Sequence, residues 1–251
     1  MPHVQSINIS QAGQSLAASG NISRPVAQLL AAEDRSIQLA DITRGFDDPI
    51  MSCFIIDSSG SMEDYRDAVI QGQNIMLDTL RGSSKCRKKA LYVAQYLFSS
   101  DSQLLNPFIQ LDANKNDSVV VLNSSNYSPF GATALYATIY QNLQNMAANI
   151  AYALSQQIKA TFTLGVFTDG EDTEGGVNPE DIKSIVQELK AKGHLAKSVI
   201  LGITHGNLSP TKVNEIKERL GFDEAVAVSQ SPSEIRRAFA MASQSAVRAQ
   251  S

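Results

Sequence analysis

From Pro49 onward the chain alternates short runs of β-branched or apolar residues with longer amphipathic stretches, and this pattern restricts the possible folds more than any other feature. The runs cover residues 50–56, 90–98, 108–111, 162–167, 198–204 and 225–228. Between them, Tyr65, Val69, Met76 and Leu80 make one helical stripe, and Leu135, Ile139, Leu143, Met146, Ile150 and Leu154 make a longer one. Strands that are apolar on both faces belong in a sheet covered on both sides. The expected architecture is therefore α/β: a doubly wound, Rossmann-like, mainly parallel six-stranded sheet with helices on both faces. One antiparallel edge strand is expected, because too few residues join 90–98 to 108–111 for a helical crossover.

Local punctuation agrees with these placements. Asn178-Pro179, Ser209-Pro210 and Ser231-Pro232 each put a capping side chain before a proline at the first helical position, and Ser231 to Glu234 has capping-box spacing. Gly82, Gly193 and Gly221 follow helix ends, where a left-handed residue is expected. Ile235, Phe239, Ala242 and Ala246 form the face of a closing helix.

The first 32 residues contain a single charged side chain, Arg24, and are rich in Ser, Gln, Ala and Asn. Residues 1–45 are accordingly expected to form a Ser/Gln/Ala-rich, loosely ordered extension, and residues 46–251 the folded domain. Residues 36–43, with Ile37 and Leu39 between polar neighbours, could add an edge strand. Export by the general secretory route is not expected, because the first 30 residues lack a basic start followed by an apolar run. No apolar window is long enough to span a membrane. Two cysteines, Cys53 and Cys86, cannot form a disulfide framework and point to a reducing, cytoplasmic setting. A net charge of −4 leaves no basic excess for binding nucleic acid. The basic run Lys85, Arg87, Lys88 and Lys89 has no interleaved aromatic residue and reads as a solvated loop.

In open α/β sheets, ligands bind beyond the carboxyl ends of the strands, and two such ends here are rich in oxygen. Asp57-Ser58-Ser59-Gly60-Ser61 follows the first apolar strand, and Asp169 follows the run 164–168 and opens the acidic turn Gly170 to Glu174. Thr133 stands in Gly131-Ala132-Thr133 at the start of the long helix. Two carboxylates and three hydroxyls, with neither thiolate nor imidazole, suit Mg²⁺, with Mn²⁺ or Ca²⁺ possible, rather than zinc or copper. Asp57 to Ser61 alone would read as an ordinary helix cap. Thr133 and Asp169 in register with it argue for more.

The order Asp-x-Ser-x-Ser, then Thr after a Gly-x turn, then Thr-Asp-Gly resembles the metal-ion-dependent adhesion site of von Willebrand factor A domains, over roughly residues 50 to 245. The resemblance implies that Ser59 and Ser61 coordinate the metal, that Thr133 does so directly or through water, and that Asp57 and Asp169 act mostly through waters and hydrogen bonds. It implies a non-enzymatic protein–protein interaction module, an adaptor, whose metal takes an acidic residue of a protein partner as its last ligand. The adjacent Ser61 to Asp64 is similar to the start of a second calcium site in integrin β-type domains, but Tyr65 stands where that pattern has an acid.

Two other readings compete. One is a Mg²⁺-dependent phosphate-ester hydrolase with Asp57 as nucleophile, although Ser59 replaces the second acid of such enzymes. The other is a secreted adhesin or effector whose first 32 residues act as an export signal. A serine hydrolase is disfavoured by the absence of Gly-x-Ser-x-Gly. His3, His194 and His205 read as surface or loop residues, and Glu63, Asp64, Glu171, Asp172 and Glu174 as a solvated acidic rim.

Overall fold

All six apolar runs become strands of one sheet. The computed structural model describes residues 6–31, 35–39, 42, 48–88, 90–206 and 208–248. The chain opens with β1 (Ser6–Asn8), α1 (Ile9–Ala18), α2 (Arg24–Leu30) and β2 (Ser36–Gln38). It continues through β3 (Ile50–Asp57), a 3-10 turn (Gly60–Tyr65), α3 (Arg66–Arg81), the short α4 (Ser84–Arg87), β4 (Leu91–Phe98) and β5 (Ser102–Gln110). The second half contains α5 (Leu135–Ser155), β6 (Thr161–Thr168), α6 (Pro179–Ala191), β7 (Leu195–Ile203), α7 (Pro210–Leu220), β8 (Glu224–Val228) and α8 (Pro232–Arg248).

The main sheet runs β5-β4-β3-β6-β7-β8. Every neighbouring pair is parallel except β4 with β5. The chain works outward from β3 to β5, then returns and restarts at β6 on the other side of β3. The β3/β6 boundary is therefore the point where connections diverge and leave a crevice at the strand ends. Every residue of β3 and β6 is buried, as central parallel strands require. The antiparallel strand β5 starts at Ser102, six residues before the expected run. An edge strand needs only one protected face, so polar Ser102 and Gln103 enter it without an apolar signal, while Asn106 is buried and satisfied by Gln95 and the Val120 backbone.

On one face, α3 and α8 pack on Ile50, Phe54, Ile56 and Phe167. Phe167 stacks on Phe239 of α8 with ring centroids 3.8 Å apart. Gly72 of α3 permits this approach, since a Cβ there would lie 2.5 Å from the Phe239 ring. On the other face, α5, α6 and α7 share a core with Cys53, Ile55, Phe162 and Val166. Five of the six expected apolar residues of α5 are buried, and Leu154 alone is exposed.

The N-terminal segment departs from expectation. Residues expected to be loosely ordered form α1 and α2, which place Ile9, Leu16 and Leu30 at 0–1% exposure, and Leu16 and Leu30 belong to the α5 core. Polar contacts complete the docking. Tyr140 donates to the Leu29 carbonyl, and Gln144 Nε2 donates to the Leu30 carbonyl at 3.1 Å. Arg35 donates to Asn145 Oδ1 at 2.9 Å and to the Gln141 carbonyl at 3.1 Å. On α6, Glu188 accepts from the Ser23 amide and hydroxyl. His194, expected as a surface or loop residue, does stand in the turn before β7 but is buried there, 3.1 Å from Asn21 Oδ1. The outer face of α5 recognises this segment through amides, which leave no hydrophobic period to read in the sequence. β2 pairs with β1 in a separate two-stranded sheet, not at the edge of the main one. Residues 40, 41 and 43 of the expected strand lie outside the described residues, as do His3 and Lys89.

Two of the three expected caps and two of the three expected glycine ends follow the punctuation, while the Ser231 hydroxyl lies 2.7 Å from that of Ser233. Asn178 and Ser209 accept from the amides of Glu180 and Lys212, and Gly193 and Gly221 are left-handed at φ 74° and 67°. Gly82 is instead right-handed at φ −69°, because the chain turns directly into α4 under the Ser83 cap. Part of the basic run expected as a loop is thus helical.

Candidate functional site

Three segments meet at the carboxyl ends of β3 and β6. The turn after β3 carries Ser59 and Ser61, the loop before α5 carries Thr133, and the turn after β6 carries Asp169. The first link is made by Asp57, the last residue of β3, whose side chain is fully buried. Its Oδ1 accepts from the Ser59 amide at 2.7 Å and its Oδ2 from the Thr168 hydroxyl at 2.6 Å. Burial pushes the Asp57 carboxyl up to about 6, with the hydrogen bonds from Ser59 and Thr168 offsetting part of the effect. With both oxygens accepting hydrogen bonds inside the protein, Asp57 is positioned to shape the turn.

Ser59 is buried, and its hydroxyl lies 3.3 Å from that of Ser61. Ser61 donates to Asp169 Oδ1 at 2.8 Å. The second oxygen, Asp169 Oδ2, is buried and has no hydrogen-bond partner among the described residues. Burial raises the Asp169 carboxyl above its usual range, while the Ser61 hydroxyl and the charge of His205 act against that rise. A buried carboxylate oxygen with no partner is costly and calls for a cation or a proton.

Asp57, Ser59, Ser61 and Asp169 are thus connected by contacts of 3.3 Å or less. Thr133 lies beside them without joining that chain of hydrogen bonds. It is buried, and its Oγ1 would sit 3.6 Å from a Cβ placed at Gly170. Its backbone exchanges hydrogen bonds with Thr173, whose amide donates to the Thr133 carbonyl at 2.9 Å and whose hydroxyl accepts from the Thr133 amide at 3.0 Å.

The loop that delivers Thr133 has no regular structure between β5 and α5, so specific contacts hold it. The Gly60 amide donates to the Gly131 carbonyl at 3.0 Å, and the Phe130 amide donates to the Ser58 carbonyl at 2.8 Å. Tyr127 is buried and donates to the Asp57 carbonyl at 2.6 Å. Arg66 donates to the carbonyls of Tyr127 and Ser124.

Several participants carry no individual sequence signal. Thr168 stands out only as part of Thr-Asp-Gly, and Tyr127 is one aromatic residue in a polar loop. Asp172, expected on the solvated rim, accepts from the Tyr136 amide in the first turn of α5 at 2.9 Å and from the Gly175 amide at 2.8 Å. Glu171 pairs with Lys212 at 3.3 Å. Glu63, Asp64 and Glu174 are exposed, as a rim requires. The segment after Ser59 is a 3-10 turn, and the regular helix α3 begins only at Arg66. Tyr65, at the would-be second cation position, is buried with its ring edge-on to His205.

Among the described residues, no group of three or more His, Cys, Asp and Glu side chains is placed to hold a metal. A site here would draw on hydroxyls: Ser59, Ser61 and Thr133 with one or both carboxylates. This hard oxygen set fits a small divalent cation, and the unpartnered Asp169 Oδ2 supplies the electrostatic reason for one.

No family model matches the chain, and no curated protein matches it in sequence. Solved structures do match. A von Willebrand factor type A protein from Catenulispora acidiphila aligns with a TM-score of 0.58 at 16% identity, over 80% of this chain and 43% of that one. The PilB minor pilin of Streptococcus sanguinis aligns at 0.55 and 14% identity, over 84% of this chain and 64% of the pilin. The vWF domain of the type V pili tip protein Mfa5 from Porphyromonas gingivalis aligns at 0.55 and 12% identity, over 79% of this chain and 95% of that one. This chain thus spans less than two thirds of the first two structures. No helix among the described residues is long and apolar enough to cross a membrane. The sheet order, the lone antiparallel edge and the shared backbone give this chain the fold of a von Willebrand factor A domain.

Proposed function

We propose that the chain is a divalent-cation-dependent protein-interaction module, and that its cation takes an acidic residue of a partner as a ligand. The observation that carries this reading is Asp169. One oxygen of this buried carboxylate accepts from Ser61, the other has no partner among the described residues, and the hydroxyls of Ser59 and Ser61 stand alongside. In this reading Ser59, Ser61 and Thr133 hold the cation, Asp169 supports it with charge, and Asp57 fixes the Ser59 turn from below. Bound there, Mg²⁺, or Mn²⁺ or Ca²⁺ in its place, would supply a Lewis-acidic position. Because most of the protein ligands are neutral, an incoming carboxylate would be attracted rather than repelled.

The burial of Asp57, with both of its oxygens accepting hydrogen bonds, supports the non-enzymatic reading over phosphate-ester hydrolysis. Cys53 and Cys86, both buried as free thiols, support a cytoplasmic setting. The pilus proteins among the structural neighbours favour the adhesin reading instead, and fractionation of cells expressing the chain separates the two. The test of metal dependence is calorimetric titration of Mg²⁺ into the full chain and its Asp169→Ala and Thr133→Ala variants, with a pull-down in magnesium or chelator. Magnesium binding and metal-dependent capture in the wild type, both lost in the variants, are expected. Identical captured proteins in all conditions and variants would sink the reading.

A further inference from the structure

We infer that Phe130 is a specificity-determining contact of this same mouth, selecting partners whose acidic residue has an apolar neighbour one to three positions away. The inference rests on the metal-bridge reading above. Phe130 is 82% exposed, far more than any other exposed large hydrophobic residue of the described chain. Lone exposed apolar residues are commonplace, but this one is held at the candidate site by its backbone. Its amide donates to the Ser58 carbonyl at 2.8 Å, and the next residue, Gly131, accepts from Gly60 at 3.0 Å. The Ala132 amide donates to Ser100 Oγ at 3.1 Å. Gly131 adopts a left-handed φ of 85° that bends the chain there, and a Cβ would lie 3.0 Å from Ser100 Oγ.

This bonding sets the distance to the site. A backbone hydrogen bond between two adjacent segments puts their Cα atoms about 5 Å apart, so Phe130 stands beside Ser58 and one residue from Ser59. An extended partner peptide advances about 3.3 Å per residue. An acidic side chain at the mouth and an apolar one on Phe130 are therefore reached by residues one to three positions apart. Charge points the same way. The exposed acids Glu63, Asp64 and Glu174 repel additional acidic residues of a partner, whereas Phe130 offers an uncharged contact. Aromatic side chains with large exposed area are also favoured anchors at protein interfaces.

The probe is a library of random linear peptides panned against the full chain in Mg²⁺, with a parallel selection in chelator. Wild-type selection is expected to enrich peptides carrying Asp or Glu with Leu, Ile, Val, Met or Phe one to three positions away. The most enriched peptide is then synthesised and its Kd measured. Phe130→Ser is expected to weaken binding about tenfold. Changing the apolar residue of the peptide to Ser should cost the same, with no further loss when both changes are combined. Phe130→Leu should retain most of the affinity. If Phe130→Ser binds as tightly as wild type while magnesium is still required, the role of Phe130 is refuted and the metal reading stands. If enrichment is the same in chelator, or the peptide binds Asp169→Ala equally well, both readings fall.

Discussion

Two buried carboxylates of this molecule are in opposite states. Asp117, in the loop between β5 and α5, is fully partnered. Its oxygens lie 2.6 and 3.0 Å from Arg81 on α3 and also accept from the amides of Asp112 and Val119. Those contacts hold its carboxyl below the usual range despite the opposing effect of burial. Asp169, in the turn after β6, has one hydroxyl partner and, among the described residues, one oxygen with none, and burial holds its carboxyl above the usual range. The first arrangement is complete within the protein and serves to pin a loop. The second leaves one oxygen without a hydrogen-bond donor among the described residues, which is the physical difference between a structural ion pair and a candidate binding site.

This contrast can be broken experimentally. The largest effect is expected from Asp117→Ala, which leaves the Arg81 guanidinium buried at 8% side-chain exposure without its main partner. A loss of about 3–5 kcal/mol in urea unfolding is expected, independent of magnesium. Asp169→Ala should show the reverse, with little loss of stability in chelator because it removes an incompletely paired buried charge. In the wild type, magnesium at about a hundred times its Kd should add about 2.7 kcal/mol, and in Asp169→Ala it should add nothing. Equal magnesium stabilisation of both proteins would erase the proposed distinction.

A smaller effect, about 1 kcal/mol in urea unfolding, is expected from Tyr127→Phe, which deletes the bond to the Asp57 carbonyl while keeping the ring. If the loop position matters to the site, that variant should also weaken magnesium binding in calorimetry. The subtlest effect is on the acid limb. Because the folded-state carboxyl of Asp117 is depressed, its contribution is present above the unfolded carboxylate range, near pH 4, and is lost as pH falls toward its folded value. Asp117→Asn should therefore flatten the decline in stability below about pH 4, and an unchanged slope would mean that Asp117 is not the group titrating there.

The carboxylates also differ in how visible they were beforehand. Asp169 was legible because it follows an apolar run at a strand end, in register with Asp57, Ser59, Ser61 and Thr133. Asp117 lies in a polar loop without periodicity, and nothing in its neighbourhood points to Arg81, 36 positions earlier. The same limit concealed Tyr127 under Asp57, and Asp172 at the start of α5. The low charge of the N-terminal segment points to a loose extension, yet the segment docks on α5. Its docking depends on Ile9, Leu16 and Leu30 being covered, and on the amides of Gln144 and Asn145.

From Pro49 onward, periodicity located the central strands and the main helices, because burial on both faces or one face imposes a repeat that local sequence must obey, whereas it located neither the start of β5 nor the helices α1 and α2. It also placed the oxygen-rich turns at strand ends, where a doubly wound sheet opens. Only the tertiary structure decided which carboxylates would be satisfied. Hydrogen-bond completion depends on groups brought together from distant segments, such as Ser61 with Asp169 and Arg81 with Asp117, and neither pairing leaves a local pattern.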